Sequence, residues 1–283
     1  MSAPPKSGIV WLASYPRSGN TWTRSFIHNL AKILAGENEE QDINGMTQFS
    51  VWDISKPFYT SILGFEPTEE NHQQIAEVRR QVQQHIADSF EGLVFVKTHQ
   101  AMVIDRSHPT INFAVTSAAA YMIRNPLDVV ISMSHHFGCT LDKAIEIMGT
   151  PGYQTRVDEM AVYEIYGSWS EHVWSWTRTP HPAIHVMRYE DMLADPMGSL
   201  GKLAKHLHLD ASPSQIGLAI ERSTFKRLQA QEEKHGFLER PKQSVRFFRE
   251  GRAGQWKEVL TPAQVNRLVR DHGEQMSRFG YTP

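Results

Sequence analysis

The sequence predicts an α/β fold, a single domain with a central, mainly parallel sheet flanked by helices. Short apolar runs without polar alternation, as in strands covered on both faces, occur at residues 9–14, 93–96, 121–123 and 184–187. Segments with helical spacing of apolar residues separate these runs, and strands that alternate with helices form parallel sheets. No low-complexity linker divides the 283 residues, so one domain over residues 1–283 is expected.

The elements follow in chain order from these patterns. The first strand candidate ends in a turn-like Y-P-R-S-G-N stretch, after which apolar residues recur at helical spacing from Trp22 to Leu34. Further helices are expected at about 71–89, 127–137, 157–176, 196–207 and 262–279. Residues 229–254 are charged, turn-rich and weakly periodic, which is typical of a lid-like loop.

Composition and charge narrow the function classes. A net charge of -2 argues against a nucleic-acid-binding protein, which usually carries a strong basic excess. The single cysteine, Cys139, fits a reducing compartment. Because no signal-peptide pattern and no apolar segment of membrane-spanning length occur, a cytoplasmic location is expected. No Cys/His cluster or acidic pair suited to a metal is evident, so no metal is expected.

The turn after the first strand has the features of an anion site. It lies at the sheet edge where α/β proteins bind ligands, and Gly19 permits close backbone approach to the start of a helix. Arg17 adds a permanent charge. Three side chains add hydroxyl or amide donors: Ser18, Asn20 and Thr21. The alternative is an ordinary turn with a helix-capping residue. A Walker A loop is disfavoured, since its second glycine and its lysine are missing.

Residues 14–22, S-Y-P-R-S-G-N-T-W, resemble the 5′-phosphosulfate loop T-Y-P-K-S-G-T-T-W of the sulfotransferases that use 3′-phosphoadenosine 5′-phosphosulfate (PAPS). The resemblance implies that residues 18–21 bind the 5′-phosphosulfate and that Trp22 stacks on the adenine. Arg17 stands where the family usually has a lysine that assists the leaving group. Because arginine does not lose its proton, Arg17 is expected to act electrostatically.

Residues 97–99, K-T-H, end the second strand candidate and match the same family's K-T-H. Histidine titrates near neutral pH and can take a proton from an attacking hydroxyl. Lys97 lies two residues away on the same strand face and can offset negative charge on the transferring group. The resemblance implies that His99 is the general base. Taken alone, the tripeptide is better interpreted as a strand-end histidine with a backbone partner.

Residues 124–132 keep the order R-N-x-x-D-x-x-x-S of the family's 3′-phosphate segment. The resemblance implies that Arg124 and Ser132 bind the 3′-phosphate, and an arginine suits this role because it can donate two parallel hydrogen bonds. The same residues describe a helix start, with Asn125 as the cap and Pro126 in the first position. Both interpretations are compatible.

Three weaker matches extend the resemblance toward the C-terminus. Residues 188–192, R-Y-E-D-M, resemble the family's Y-E-D-M, which implies that Tyr189 contacts the adenine. Residues 223–225 stand where the family has T-S-F, which implies that Thr224 and Phe225 contact the nucleotide. Residues 248–256 resemble F-x-R-K-G-x-x-G-D-W. This last segment supplies four further site residues: Phe248, Arg249, Glu250 and Gly251. Glu250 replaces a lysine, and Arg252 is available to compensate.

These segments, in the family's order, imply in-line transfer of a sulfuryl group from PAPS to a hydroxyl of a small-molecule, lipid or glycan acceptor. An ATP-dependent kinase is disfavoured because no G-K-[ST] is present. A non-catalytic nucleotide-binding protein is disfavoured because it needs no base, yet Lys97 and His99 are intact. Oligomeric state and acceptor identity are left open. Candidate acceptor-pocket residues are Phe49, Trp52, Phe58, Tyr59, Phe65, His135, His136, Phe137, Phe237 and Phe247.

Overall fold

The structure, a computed structural model, describes residues 7–37 and 39–282 and is built around a parallel sheet of five strands. The strands in chain order are β1 (Gly8–Ser14), β2 (Ser50–Trp52), β3 (Leu93–Thr98), β4 (Ile104–Asp105), β5 (His108–Pro109), β6 (Thr116–Ile123) and β7 (Ile184–Arg188). The sheet order is β2-β3-β1-β6-β7, and β4 and β5 form a separate antiparallel pair. This architecture confirms the predicted fold class.

Thirteen α-helices lie in the described part of the chain and flank the sheet. They are α1 (Asn20–Leu34), α2 (Met46–Phe49), α3 (Lys56–Leu63), α4 (His72–Asp88), α5 (Pro126–Phe137), α6 (Leu141–Gly149), α7 (Trp169–Thr177), α8 (Tyr189–Ala194), α9 (Pro196–His206), α10 (Pro213–Arg222), α11 (Phe225–His235), α12 (Trp256–Val259) and α13 (Pro262–Arg278). None of the helices in these ranges combines the length and the apolar character that a membrane crossing requires.

The core explains why the strands are continuously apolar. All seven residues of β1 are buried. Ile9 and Trp11 pack into the apolar cluster on one side of the sheet, whereas Val10 and Leu12 pack into the cluster on the other side. Since both faces of the sheet are covered by helices, no position of the strand needs a polar side chain.

The strand order brings the predicted motifs to one edge. β1 pairs with β3 on one side and with β6 on the other, so chain segments leaving these strands diverge above the carboxyl end of β1. The crevice formed at such a point is where open α/β sheets bind ligands. Residues 15–19 follow β1, His99 follows β3, Arg124 follows β6 and Tyr189 follows β7.

Most predicted helices are confirmed, but the helix expected at 157–176 is wrong over its first twelve residues. Gly167 has a φ of 62°, and α7 begins after Ser168, whose side chain caps the helix reciprocally with Glu171. The preceding segment is extended: Ala161 forms a bridge with Ser55, and the backbone N–H of Val162 donates to Ile54 O. Its apolar residues are therefore buried by tertiary contacts and not by a helical face.

The loop predicted at 229–254 is also corrected at its start. Residues 229–235 belong to α11, whereas residues 236–255, here called the lid segment, contain no helix or strand. Helix α11 escaped detection because one of its two buried positions is a carboxylate: Leu228 and Glu232 are buried. Glu232 accepts the backbone N–H groups of Phe247 and Phe248 at 2.7 and 2.9 Å, so it holds the lid segment instead of packing in the core.

Candidate active site

The loop after β1 is held in an unusual backbone conformation. Arg17 has a φ of 67°, a left-handed value that is uncommon for a residue other than glycine and that clusters at functional sites. Gly19 has a φ of 102°, and a Cβ there would lie 2.9 Å from the Tyr189 ring. The loop therefore brings the N-terminus of α1 against Tyr189, the residue that directly follows β7. Thr21, in the first turn, is partly buried at the cavity wall.

The Arg17 side chain binds protein groups on the far side of the cleft. Its Nε donates to Ser132 Oγ at 2.9 Å, and a terminal nitrogen donates to Phe247 O at 3.2 Å. Burial and the nearby charge of Arg124 lower the pKa of Arg17 to about 10, and Arg249 acts in the same direction. Two other cations thus lie close enough to the guanidinium to lower its pKa, as expected where an anion binds.

The His99 ring is held in one tautomer. Its Nδ1 donates to the Ser14 carbonyl at 2.7 Å, which leaves Nε2 as the unprotonated nitrogen of a neutral ring. Burial and the charge of Lys97 hold the pKa of His99 well below its usual value, so the ring is neutral at physiological pH. The backbone N–H of His99 donates to the Glu164 carboxyl at 2.5 Å, and the His99 carbonyl accepts from His172 Nε2 at 3.1 Å.

Lys97 points into the same cleft as His99. Its Nζ lies 2.9 Å from Glu239 Oε2 of the lid segment and 4.8 Å from the centre of the Trp52 ring. Glu239 in turn receives two hydrogen bonds from Arg24 of α1, at 2.6 and 3.0 Å. Burial raises the pKa of Glu239, but Lys97 and Arg24 outweigh burial and hold that pKa well below its usual range. The carboxylate is therefore charged.

The predicted 3′-phosphate group is assembled at the other end of the cleft. Arg124 is 6% exposed and donates to the carbonyls of Arg17 and Arg252, both at 3.1 Å, while its Nε has no partner among the described residues. Arg249 donates to Glu250 and Gln255 at 3.1 and 2.9 Å. Glu250 lines the cavity, whereas Arg252, the residue expected to compensate for it, does not line the cavity and pairs with Glu250 and Glu258.

Aromatic side chains form the wall between these two ends. Trp22 and Tyr189 make an edge contact with ring centres 5.9 Å apart, and Arg124 lies 4.3 Å from the centre of the Tyr189 ring. Phe225, which follows Thr224 at the start of α11, contacts Phe248 with ring centres 6.0 Å apart. Gly251, with a φ of 62°, passes so close to Phe225 that a Cβ would lie 2.3 Å from the ring.

A cavity of about 1380 Å³ joins these groups. Six of the ten aromatic and histidine residues expected around an acceptor line it: Trp52, Phe58, His135, His136, Phe137 and Phe247. The other four lie elsewhere. Phe49 stacks on Phe95, Tyr59 is fully buried in the core, Phe65 is 43% exposed and Phe237 packs on Phe247.

The polar atoms of the cleft fit a phosphorylated nucleotide. Trp22 and Arg124 line the cavity, and Trp22 Nε1 and Arg124 Nε are buried without a hydrogen-bond partner within the described residues. Ser18 Oγ is likewise buried and without a partner there, on a residue that lies between the cavity-lining Arg17 and Gly19. Such donors carry an energetic penalty unless a ligand or water satisfies them. Asn20 differs from the expectation, since its amide donates to Leu12 O at 2.8 Å and so holds the loop on β1. Across residues 7–37 and 39–282, no three His, Cys, Asp or Glu side chains group as a metal site would require.

Three site residues were missed by reasoning from motifs, and a fourth, the aspartate of the R-N-x-x-D-x-x-x-S segment, makes contacts that its motif did not predict. Arg24 and Glu239 were not singled out; a lone arginine within the apolar spacing of α1 was the only signal. Asp128 accepts the backbone N–H groups of Gly254 and Trp256 at 2.6 and 3.1 Å and fastens the end of the lid segment to α5. Glu164 is 1% exposed beside His99, and burial raises its pKa to about 8.

Comparison with known proteins gives the family. Residues 8–280 match the Sulfotransferase domain. Rat sulfotransferase 2A6 is 25% identical over 273 residues, covering 95% of this chain and 84% of that protein. Human sulfotransferase 2B1 is 24% identical over 273 residues, covering 94% of this chain and 66% of that protein.

Solved structures share the fold at lower identity. Mouse sulfotransferase SULT7A1 complexed with PAP superposes with a TM-score of 0.62 at 18% identity, covering 97% of this chain and 86% of that one. Retinol dehydratase in complex with retinol and PAP gives a TM-score of 0.66 at 20% identity, covering 98% and 82%. With its domain match over nearly the whole length, the chain belongs to the sulfotransferase family, as its motifs predicted.

Proposed function

We propose that this chain transfers a sulfuryl group from PAPS to a hydroxyl of an acceptor by in-line displacement, with His99 as the general base. The observation that carries the proposal is the set of cations around one cavity. Arg17, Arg124 and Arg249 line it together, and burial with repulsion from the other two lowers the pKa of Arg17 to about 10. An anion with charges at both ends of the cleft relieves this repulsion.

The donor would be held along the whole cleft. Residues 18–21 at the start of α1 would bind the 5′-phosphosulfate through free backbone N–H groups and the Ser18 hydroxyl. Trp22 and Tyr189 would contact the adenine, and Arg124, Ser132 and Arg249 would bind the 3′-phosphate. The solved sulfotransferase SULT7A1 and retinol dehydratase are complexed with PAP (3′-phosphoadenosine 5′-phosphate), the form of the donor that lacks the sulfuryl group, which supports this assignment.

PAPS supplies the sulfuryl group and a phosphate leaving group. His99 Nε2 accepts the proton of the acceptor hydroxyl as its oxygen bonds to sulfur and the bond between sulfur and the phosphate oxygen breaks. Lys97 and Arg17 offset the negative charge on the sulfuryl and phosphate oxygens. The contact between Nδ1 and the Ser14 carbonyl supports this role, because it fixes the tautomer that leaves Nε2 free. No step calls for a metal ion.

The side chains that line the acceptor half of the cavity favour an apolar alcohol or phenol as the acceptor. Trp52, Phe58 and Phe137 line it together with Met160 and Tyr166. Apolar walls with few polar groups are typical of small-molecule sites. A guinea pig relative named 3-beta-hydroxysteroid sulfotransferase is 29% identical over 175 residues, 60% of this chain and 59% of that protein, which agrees with this class of acceptor.

Thermal melting with nucleotides tests the donor assignment. We expect PAP to raise the melting temperature and ATP to do so much less, because ATP lacks the 3′-phosphate for which Arg124 and Arg249 are placed. At a concentration of 100 Kd, a ligand that binds only the folded state stabilises it by about 2.7 kcal/mol. Equal shifts with both nucleotides, or a shift that requires magnesium, would favour a kinase.

Transfer itself is tested with radiolabelled PAPS and a panel of alcohols and phenols. The wild-type protein should label at least one acceptor. The His99→Ala variant should keep the PAP-induced melting shift and lose transfer by roughly 10²–10⁴-fold, the usual contribution of a general base. Retained turnover in this variant would remove His99 from the mechanism.

A further inference from the structure

Glu239 brings a charged carboxylate from the lid segment to the proposed catalytic lysine. Its Oε2 lies 2.9 Å from Lys97 Nζ, and its side chain is only 18% exposed. Glu239 lies outside every segment that resembles a motif of the family. The lid segment has no helix or strand to fix Glu239, so its position depends on the groups that it contacts.

Arg24 is the group that fixes Glu239. The Arg24 side chain is 1% exposed, its Nε donates to Ser50 Oγ at 2.7 Å, and its two terminal nitrogens donate to the two carboxylate oxygens of Glu239. A bidentate contact of this kind sets the orientation of the carboxylate as well as its location. Glu239 is therefore anchored through α1 whether or not Lys97 contacts it.

Lys97 gains its position from this anchored carboxylate. An ammonium group has three N–H donors, so the contact with Glu239 leaves two for a ligand. The remaining contact of Lys97, with the face of Trp52 at 4.8 Å, restrains the ammonium less specifically than the ion pair does. The negative charge of Glu239 also acts on His99 against that of Lys97, which favours a ring that can accept a proton.

We propose that Glu239 is a positioning residue that, clasped by Arg24, places the Lys97 ammonium for the sulfuryl group, so that the lysine is in place only when the lid segment is closed. The inference rests on the proposed function, in which Lys97 acts on that group. Closure of the lid segment and assembly of the transfer site are then one event. The Glu239 carboxylate itself contacts Arg24 and Lys97, whereas Arg249 of the same segment contacts Glu250 and Gln255, so the 3′-phosphate contacts do not depend on that carboxylate.

A double-mutant cycle on the full chain tests this coupling. Glu239→Gln should lower kcat roughly 10- to 100-fold, a size typical of a misplaced catalytic group, while the Kd for PAP changes less than about twofold. In a Lys97→Met background the same substitution should have no further effect on kcat, because Glu239 acts through Lys97. Glu233→Gln is the matched control, since Glu233 pairs with Arg246 of the lid segment at 3.1 Å and does not contact Lys97.

Each alternative has a distinct outcome. Additive effects of the Glu239 and Lys97 substitutions, an unchanged kcat in Glu239→Gln, or a loss of PAP affinity as large as the loss of kcat would each overturn the inference. If Glu239→Gln does not fold because Arg24 loses its counter-charge, Glu239→Asp is the alternative variant, since it keeps that charge. We expect Glu239→Asp to lower kcat when Lys97 is present and to have no effect on kcat when Lys97 is replaced. An inactive wild-type protein would overturn the proposed function instead, and PAP binding would report on the donor site separately.

Discussion

At the level of single residues, Arg17 combines a left-handed backbone with a guanidinium that no carboxylate neutralises within residues 7–37 and 39–282. Its partners are the Ser132 hydroxyl, the Phe247 carbonyl, the His136 Nδ1 at 3.4 Å and the Phe247 ring, whose centre lies 4.3 Å away. A surface arginine usually pairs with an acid at little energetic gain. Arg17 instead leaves its charge available in the cleft, and that is the property its proposed role requires.

Replacement of Arg17 should separate this electrostatic role from a structural one. Arg17→Lys keeps the charge and should fold normally and retain substantial activity. Arg17→Ala has the same backbone cost at a φ of 67° but no charge, and its kcat should fall roughly 10²–10³-fold, as for loss of one oxyanion donor. Steady-state kinetics on both variants provide the measurement. If alanine leaves kcat within a fewfold of wild type, Arg17 is structural and Lys97 carries the charge alone.

The residues that could be predicted are those that directly follow strands. Arg17, His99 and Arg124 each lie within a few residues of a buried apolar run, so the motif and its place in the sheet are read from the same short stretch. Arg24 and Glu239 are 215 positions apart, and nothing local relates them. Their contact depends on how the lid segment folds back over α1, which only the tertiary structure determines.

At the level of elements, the longest helices were predicted well, whereas shorter ones such as α3, α6 and α10 were not predicted, and two segments held by polar or backbone contacts were misassigned. The α4 and α13 helices match their predicted ranges within a residue or so, since each presents one buried face. The segment before α7 has apolar residues at helical spacing, but Gly167 and backbone bridges keep it extended. Helix α11 was taken for loop because Glu232 occupies one of its two buried positions.

The lid segment offers a paired test of close packing at the nucleotide site. Gly251→Ala should weaken PAP binding by about tenfold or more, because the new Cβ would meet the Phe225 ring at 2.3 Å and push the lid segment from the cleft. Gly254→Ala is the matched control: its φ of 80° carries the same backbone penalty, yet nothing lies within 4 Å of the added atom. Titration calorimetry with PAP compares the two variants. Equal losses of affinity would mean that backbone strain alone accounts for the effect.

At the level of the whole molecule, the parallel sheet gathers distant motifs at one edge and leaves many polar groups inside. Five histidines have a pKa lowered to about 3 or 4, chiefly by burial: His28, His136, His172, His185 and His272. Two carboxyl groups shift the other way, since burial raises the pKa of Asp53 to about 7 and that of Glu164 to about 8. These groups stay neutral in the folded protein near pH 6.

Folding stability should therefore be greatest near pH 6.5 and fall on both sides. In the unfolded chain the histidines titrate near 6.5, so as the pH drops below that value the unfolded state takes up protons that the folded state does not, and stability is lost. Asp53 and Glu164 act in the opposite sense: the folded state keeps their protons, and their contribution is lost as the pH rises through about 7 to 8.

The histidines outnumber the two carboxyl groups, so the loss of folding stability below pH 6.5 should be larger than the loss above it. Each excess proton changes the free energy of unfolding by about 1.4 kcal/mol per pH unit, and we expect the melting temperature to fall by roughly 10 °C between pH 6.5 and pH 5. Calorimetric melts across pH 5 to 8 provide the measurement. His272→Gln replaces a 2% exposed ring that is hydrogen-bonded to Ser170 at 2.9 Å. This variant should take up about one proton fewer on unfolding at acid pH, so its stability should depend less steeply on pH. A melting temperature that stays constant from pH 5 to 7 would show that these imidazoles are protonated as readily in the folded protein as in the unfolded chain.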